Sequence, residues 1–167
     1  MNEIIIRPSV ETDFPTLIEL NHVIWNETNT PATIHFDSVT DYGNHCPPGS
    51  QFVAVIENRV AGYVGYKNPT GLPANSHVLE IDIGVHPDFQ KQSVGKKLID
   101  YIAAWGEKNG YLKMSIRVLE TNPNAITFYK TNGFLEQGRL IDEFYINGQF
   151  IDDLLMYKEL RSFLKDC

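Results

Sequence analysis

Cysteine is scarce: two among 167 residues, Cys46 and Cys167, with no Cys-x-x-Cys spacing. That argues against a disulfide framework and against a cysteine zinc site, and makes a reducing cytoplasm the expected setting. Positive charge is in the minority, 14 Lys and Arg against 21 Asp and Glu, for a net charge of -7. A chain so acidic offers no basic face for a nucleic-acid backbone, so no nucleic-acid partner is expected. Long apolar runs are missing as well. The run Ile4 to Ile6 behind Glu3 is too short for a signal peptide, and no window approaches a membrane span, so no membrane partner is expected. The five histidines, His22, His35, His45, His77 and His86, show no metal-ligand spacing, and no metal is expected. Neither Gly-x-Gly-x-x-Gly nor Gly-Lys-Ser/Thr follows a strand, which argues against the common nucleotide-binding folds.

What is present is a chain of one-domain length, 43% hydrophobic, with alternating strand and helix signals over residues 1–167. "EIIIRP" reads as a short strand ended by proline. From about Thr12, Phe14, Leu17, Ile18, Leu20, Val23, Ile24 and Trp25 recur at helical spacing, with Ser9 or Thr12 as candidate caps. A turn-rich loop follows, with a candidate short helix after Asp37. Two β-rich runs then flank Glu57-Asn58-Arg59 as a hairpin, and Val78 to Val85 alternates as a strand. Val94, Leu98, Ile99, Ile102 and Trp105 form a helical stripe that Gly110 ends. Leu112 to Leu119 is a strand, and a helix runs from Pro123 with Asn122 as cap and Gly133 as stop. Asn147-Gly148 joins two last β-rich runs in a hairpin beginning near Glu143. This order predicts an α/β domain with a mixed sheet. A ligand crevice is expected at the carboxyl end of the strand finishing at Val85.

"GVHPDFQKQSVGKKLI", Gly84 to Ile99, leads from that strand into the helix. A helix starting near Val94 points its free N–H groups into the loop and places roughly half a positive charge there. The amides of Gln92, Ser93, Val94, Gly95 and Lys96 can converge on a phosphate, with Lys91, Lys96 and Lys97 adding charge. An ordinary helix start with solvated lysines fits these features equally well.

"VHPDFQKQSVGKKLI" resembles the acetyl-coenzyme A loop of the GNAT superfamily of N-acetyltransferases. The family pattern is Arg/Gln-x-x-Gly-x-Gly/Ala. Gln90 takes its first position and Gly95 its last, while Ser93 stands where the first glycine is usual. "NPNAITFYKTNGF" is similar to a second family segment through Asn122, Ala125, Tyr129, Gly133 and Phe134. The resemblance implies a single-domain GNAT-like fold. Its sheet is mixed, mostly antiparallel and six- to seven-stranded, with helices on both faces and a splayed central strand pair. It implies a cytoplasmic acyltransferase that uses acetyl-coenzyme A as co-substrate, nearest the phosphinothricin-acetyltransferase-like branch of small-molecule or N-terminal acetyltransferases.

Site roles follow from the same resemblance. The backbone of Ile83, Gly84 and Val85 pairs with the pantetheine arm. Gln90, Lys91, Gln92, Ser93, Val94, Gly95 and Lys96 cradle the pyrophosphate. Asn122 binds the arm or simply caps its helix; Ala125 and Phe128 line the cofactor channel. Tyr129 is the general acid for the leaving thiolate. Glu80 is the base that deprotonates the amine, with Asp82 as its rival; the two alternate with Leu79, Ile81 and Ile83 and so share one face. An amide near Val85 polarises the thioester carbonyl.

If the backbone at position 93 is left-handed, serine there costs on the order of 1 kcal/mol. The acceptor is a small-molecule amine or a protein or peptide amine. Its determinants are sought in Trp25, Asn26, His35, Phe36, Asp37, Phe144, Tyr145, Asp152 and Asp153. A homodimer is compatible with this reading. A coenzyme-A-binding regulatory module without transferase activity is the alternative.

Overall fold

Short-range physics explains most of the element boundaries in the computed structural model, which describes residues 2–161. Strand β1 spans Ile5–Pro8 and ends where proline removes the ladder donor. Helix α1 is Phe14–Ile24, with Pro15 in its first turn. Neither Ser9 nor Thr12 caps it. Asp13 does the work instead: it accepts the Val10 amide at 2.9 Å and closes a 3₁₀ turn over Glu11–Asp13 that feeds the helix. Ser9 is buried, where its hydroxyl accepts the Gly49 N–H at 3.2 Å. Helix α2, Val39–His45, starts at Ser38, whose side chain accepts the Asp41 N–H.

Strands β2 (Gln51–Ile56) and β3 (Arg59–Lys67) form the expected hairpin. Its two-residue turn, Glu57 and Asn58, has φ of 47° and 64°, the left-handed pair that matches strand twist. Strand β4 is Val78–Val85 and helix α3 is Val94–Lys108. Strand β5 is Lys113–Leu119, and helix α4 is Pro123–Thr131 with Asn122 as its cap. Strands β6 (Leu135–Ile146) and β7 (Gln149–Glu159) close the chain through left-handed Asn147 and Gly148. β6 begins eight residues earlier than the sequence pattern indicates. Register shifts after Glu136 and Leu140, with Asp142 at φ 51°, break the alternation that would have betrayed it.

The strands form a seven-stranded sheet in the order β1-β2-β3-β4-β5-β7-β6. The β1–β2, β2–β3, β5–β7 and β6–β7 ladders are antiparallel. β4 and β5 are parallel through Val78↔Lys113, Leu79↔Met114 and Glu80↔Ser115, and β4 runs on past this ladder.

The chain packs as two compact units. The first holds β1, β2, β3, the end of β4 from Asp82, α1, α2 and the start of α3. Its core gathers Phe14, Leu17 and Leu20 of α1, Tyr42 of α2, and Val53, Val60 and Tyr63 of the hairpin. Adjacent strand residues point to opposite faces. Accordingly Val53 joins α1 and α2, whereas Phe52 meets Tyr101 of α3 at 5.0 Å, so helices cover both faces of this hairpin. The second unit holds β5, β6, β7, α4 and the start of β4. Met114, Ile116, Val118, Leu154, Met156, Tyr129 and Phe134 are buried there. Each such side chain contributes about 1.5–3 kcal/mol of burial free energy.

Candidate functional site

In the first unit, the polypeptide leaves β4 through a 3₁₀ turn at Pro87–Phe89 and enters α3. His86 fixes the turn from both sides: its N–H donates to Ala61 at 2.8 Å and its Nδ1 accepts the Asp88 N–H at 3.1 Å. Phe89 is buried, with the Arg59 guanidinium 5.0 Å above its ring. The Gln92 side chain donates to the Asp88 carbonyl at 3.2 Å. Val94, 1% exposed, anchors the helix start, and the Ser93 carbonyl accepts the Lys97 N–H at 3.0 Å.

Between these anchors, Gln90 to Ser93 are exposed. Lys91 and Ser93 have φ of 61° and 64°, with Gln92 between them at negative φ. Alternating handedness turns successive N–H groups toward one concave side, the geometry that holds anions, and the dipole of a 15-residue helix adds to it. Ser93 therefore carries the backbone strain expected of a serine at a glycine position. Gly95 lies in the first turn of α3. The Lys96 ammonium is held by Asp100 at 2.6 Å, so its charge is partly spent along the helix.

The end of β4 is packed closely. A Cβ on Gly62 would lie 2.7 Å from the Gly84 carbonyl oxygen, 3.3 Å from Val85 Cα and 3.3 Å from Val94 Cγ1. Only glycine lets β3, β4 and the start of α3 approach so nearly. Ile83 is buried and Val85 half-buried.

Asp82 and Gly84 face α1. A Cβ on Gly84 would collide with Ile24 and lie 3.0 Å from Tyr63 Cε1, and a Cβ on Gly65 would overlap the Asp82 carboxylate. Beneath them, Tyr63 donates to Asn21 Oδ1 at 3.1 Å, and the Trp25 indole N–H reaches both Asn21 Oδ1 at 2.9 Å and the Tyr63 hydroxyl at 3.1 Å. Tyr42 donates to Gln51 Oε1 at 2.7 Å. Burial first, then the Asp82 charge, holds the Tyr63 phenol far above its ordinary pKa. Burial likewise raises Tyr42 and Cys46, with Asp82 contributing to both. Of these groups Asp82 and Trp25 were singled out from sequence, whereas Asn21, Tyr42 and Tyr63 were not. The signal was "AGYVGY", two glycines inside a strand, which marks close approach of another group.

In the second unit, Glu80 is half-buried and paired in register with Ser115. Asn122 accepts the Ala125 N–H at 3.3 Å through Oδ1. Ala125 and Phe128 are half-buried, while Tyr129 is 6% exposed and sits against Phe128 at 5.3 Å and Phe134 at 5.5 Å.

The candidate acceptor determinants divide. Trp25 and Phe36 pack on the α1–α2 core, and His22 Nε2 accepts the Phe36 N–H at 3.1 Å. His35 and Asp37 are an exposed pair at 3.0 Å, and Asn26 caps a turn through Oδ1 to the Thr28 N–H at 2.9 Å. Phe144 is half-buried, and Tyr145 stacks outward on Phe150 at 5.0 Å. Asp153 is buried against Arg117, and Asp152 binds Arg139 and the Asp142 N–H. Both carboxylates brace the hairpin. Among the described residues no metal-ligating cluster occurs, and no helix is long and apolar enough to cross a membrane.

Residues 15–134 match the family model for the acetyltransferase (GNAT) family. The chain is 27% identical over 124 residues to the spermidine N(1)-acetyltransferase of Vibrio cholerae, covering 73% of this chain and 72% of the relative. Its fold superposes on smu.2055 of Streptococcus mutans with a TM-score of 0.86 at 27% identity, covering 94% of this chain and 99% of the other. A phosphinothricin acetyltransferase from Sinorhizobium meliloti, solved with acetyl-coenzyme A, shares the fold at a TM-score of 0.83 and 19% identity, over 93% of this chain and 88% of that one.

Proposed function

The chain belongs to the acetyltransferase (GNAT) family, and we propose that it transfers acetyl to a primary amine by direct attack. Acetyl-coenzyme A, the donor in this family, supplies a thioester-activated acetyl group when bound. The observation that carries the assignment to this chain's own residues is the loop before α3. Left-handed Lys91 and Ser93 flank Gln92 at the amino end of a 15-residue helix, a concave set of amides suited to a pyrophosphate.

Each residue then has a task. Gln90 to Lys96 hold the pyrophosphate, mainly through main-chain N–H groups. The backbone of Ile83, Gly84 and Val85 holds the pantetheine arm, and an amide near Val85 polarises the carbonyl. Asn122 spends Oδ1 on the Ala125 N–H, leaving its amide hydrogens to donate to the arm. Ala125 and Phe128 shape the channel wall. Glu80 takes a proton from the amine, and the Tyr129 hydroxyl returns one to the departing sulfur. The relatives' substrates include a small polyamine, and a small-molecule amine is the acceptor we favour here. All of these residues fall in one functional domain spanning 1–167.

Calorimetric titration with acetyl-coenzyme A tests the cradle. Micromolar binding is expected, weakened at least tenfold by Gly95→Val or Asn122→Leu, with NADH and ATP giving no heat. Silence up to millimolar acetyl-coenzyme A would end this reading. Binding without thiol release from any amine would favour a regulatory coenzyme-A-binding module.

A further inference from the structure

We infer that Asp82 is the docking charge for a second, non-reacting cationic group of the acceptor, so that the substrate class is di- or polycationic amines. The inference rests on the transferase reading for the identity of the acceptor, and on the first unit's geometry for the rest.

Asp82 is exposed, yet its neighbours are among the most buried groups of the chain: Tyr42 is 0% and Tyr63 2% exposed. Its carboxylate lies over Gly65, in space a Cβ would occupy, and Gly65 does not have a positive φ. The glycine is therefore spent on room for this carboxylate and not on a turn. The groups on which the charge bears, Tyr42, Tyr63 and Cys46, are held in their uncharged, protonated forms. The tyrosines it bears on belong to an aromatic core: the Trp25 indole N–H reaches the Tyr63 hydroxyl at 3.1 Å, and Phe36 lies 4.8 Å edge-on to Tyr42. A reachable anion beside aromatic rings and neutral hydroxyls is a receptor for an alkylammonium group.

The division of labour follows from charge. The attacking nitrogen must be neutral, so it cannot keep an ionic bond to a docking carboxylate through the reaction. A carboxylate that docks needs a group that stays protonated. Glu80, two residues back on the same face of β4, is the base in this account. Asp82 binds the other end of the substrate.

The test is titration of 1,4-diaminobutane into the protein saturated with coenzyme A, which reads docking without requiring turnover. Wild type binds, and increasing salt weakens binding. Asp82→Asn loses affinity by about tenfold to a hundredfold, the worth of one charge-assisted hydrogen bond. Gly65→Ala moves in the same direction, because its methyl displaces the carboxylate; Asp82→Glu retains part of the affinity. Coenzyme A affinity is unchanged in all of them, which shows that the variants fold. Absence of diamine binding by wild type, or equal binding by Asp82→Asn, overturns the inference.

Steady-state thiol release separates Asp82 from the base. Asp82→Asn raises KM for the diamine and leaves kcat within about threefold, and its preference for the diamine over n-butylamine disappears. Loss of kcat at unchanged KM, with the acid limb of the pH profile altered, would make Asp82 the base and overturn the docking role. Diamine binding with no thiol release from wild type would sink the transferase reading and leave the docking charge standing.

Discussion

Arg7 and Asp13 meet in a two-pronged ion pair, with the guanidinium nitrogens 2.8 and 2.9 Å from the two carboxylate oxygens. It ties the end of β1 to the entry of α1, and Asp13 is 6% exposed. Hydrogen bonding from Arg7, supported by the Val10 N–H, holds the Asp13 carboxyl below its usual pKa despite burial. A depressed carboxylate adds stability above its unfolded pKa of about 3.9 and loses it as pH falls through the folded value. Asp13→Asn should lower stability at pH 7 by about 2 kcal/mol and flatten the fall in melting temperature below about pH 4. Thermal melts across pH 2–7 decide it. Parallel wild-type and variant curves would remove the linkage.

Ser93 pits two effects against each other. Its left-handed backbone costs about 1 kcal/mol, and glycine would remove that strain while adding about 0.5 kcal/mol of unfolded-chain entropy. Ser93→Gly should therefore stabilise slightly, by about 0.5 kcal/mol, and hold acetyl-coenzyme A at least as tightly. Ser93→Val, β-branched at positive φ, should be the least stable of the three. Urea midpoints give the order; valine equal to glycine would mean that the loop does not keep this conformation.

Asn122 has a structural task and a proposed binding task. Removing the cap on Ala125 in Asn122→Ala should cost about 1 kcal/mol. Asn122→Ser restores a cap but not a side-chain amide, so it should recover stability and not acetyl-coenzyme A affinity. Recovery of both would reduce Asn122 to a helix cap.

Tyr129 loses one hydroxyl in Tyr129→Phe, and the packing against Phe128 and Phe134 survives. If the phenol protonates the leaving sulfur, kcat should fall by about 10²-fold while acetyl-coenzyme A affinity holds. A compensating recovery with a donor whose leaving thiol has a lower pKa would be the signature of the lost acid. Undiminished kcat assigns Tyr129 to packing alone.

The elements with one strong local signal were legible from sequence. The hairpins read at Glu57-Asn58-Arg59 and Asn147-Gly148 are both present, the first turning on Glu57 and Asn58 with Arg59 already in β3; Asn122 and Gly133 bound α4 as cap and stop. The start of β6 was not, because two bulges interrupt its period. Asp152 and Asp153 read as acceptor contacts until the β6–β7 and β5–β7 registers brought Arg139 and Arg117 to them. The carboxylate over Gly65 depends on cross-strand placement, which no spacing within one segment encodes. The loop before α3 was legible in its residues, but only φ at Lys91 and Ser93 gave it a concave shape.

Transfer of acetyl to an amine is decided by product analysis. The protein is incubated with acetyl-coenzyme A and a panel of primary amines, and mass spectrometry of the amine is read beside free thiol. Acetylated amine and coenzyme A thiol should appear in equal amounts, and both should be lost together in Glu80→Gln. Thiol without acetylated amine, or neither product from a protein that binds acetyl-coenzyme A, would mean that the chain does not acetylate amines.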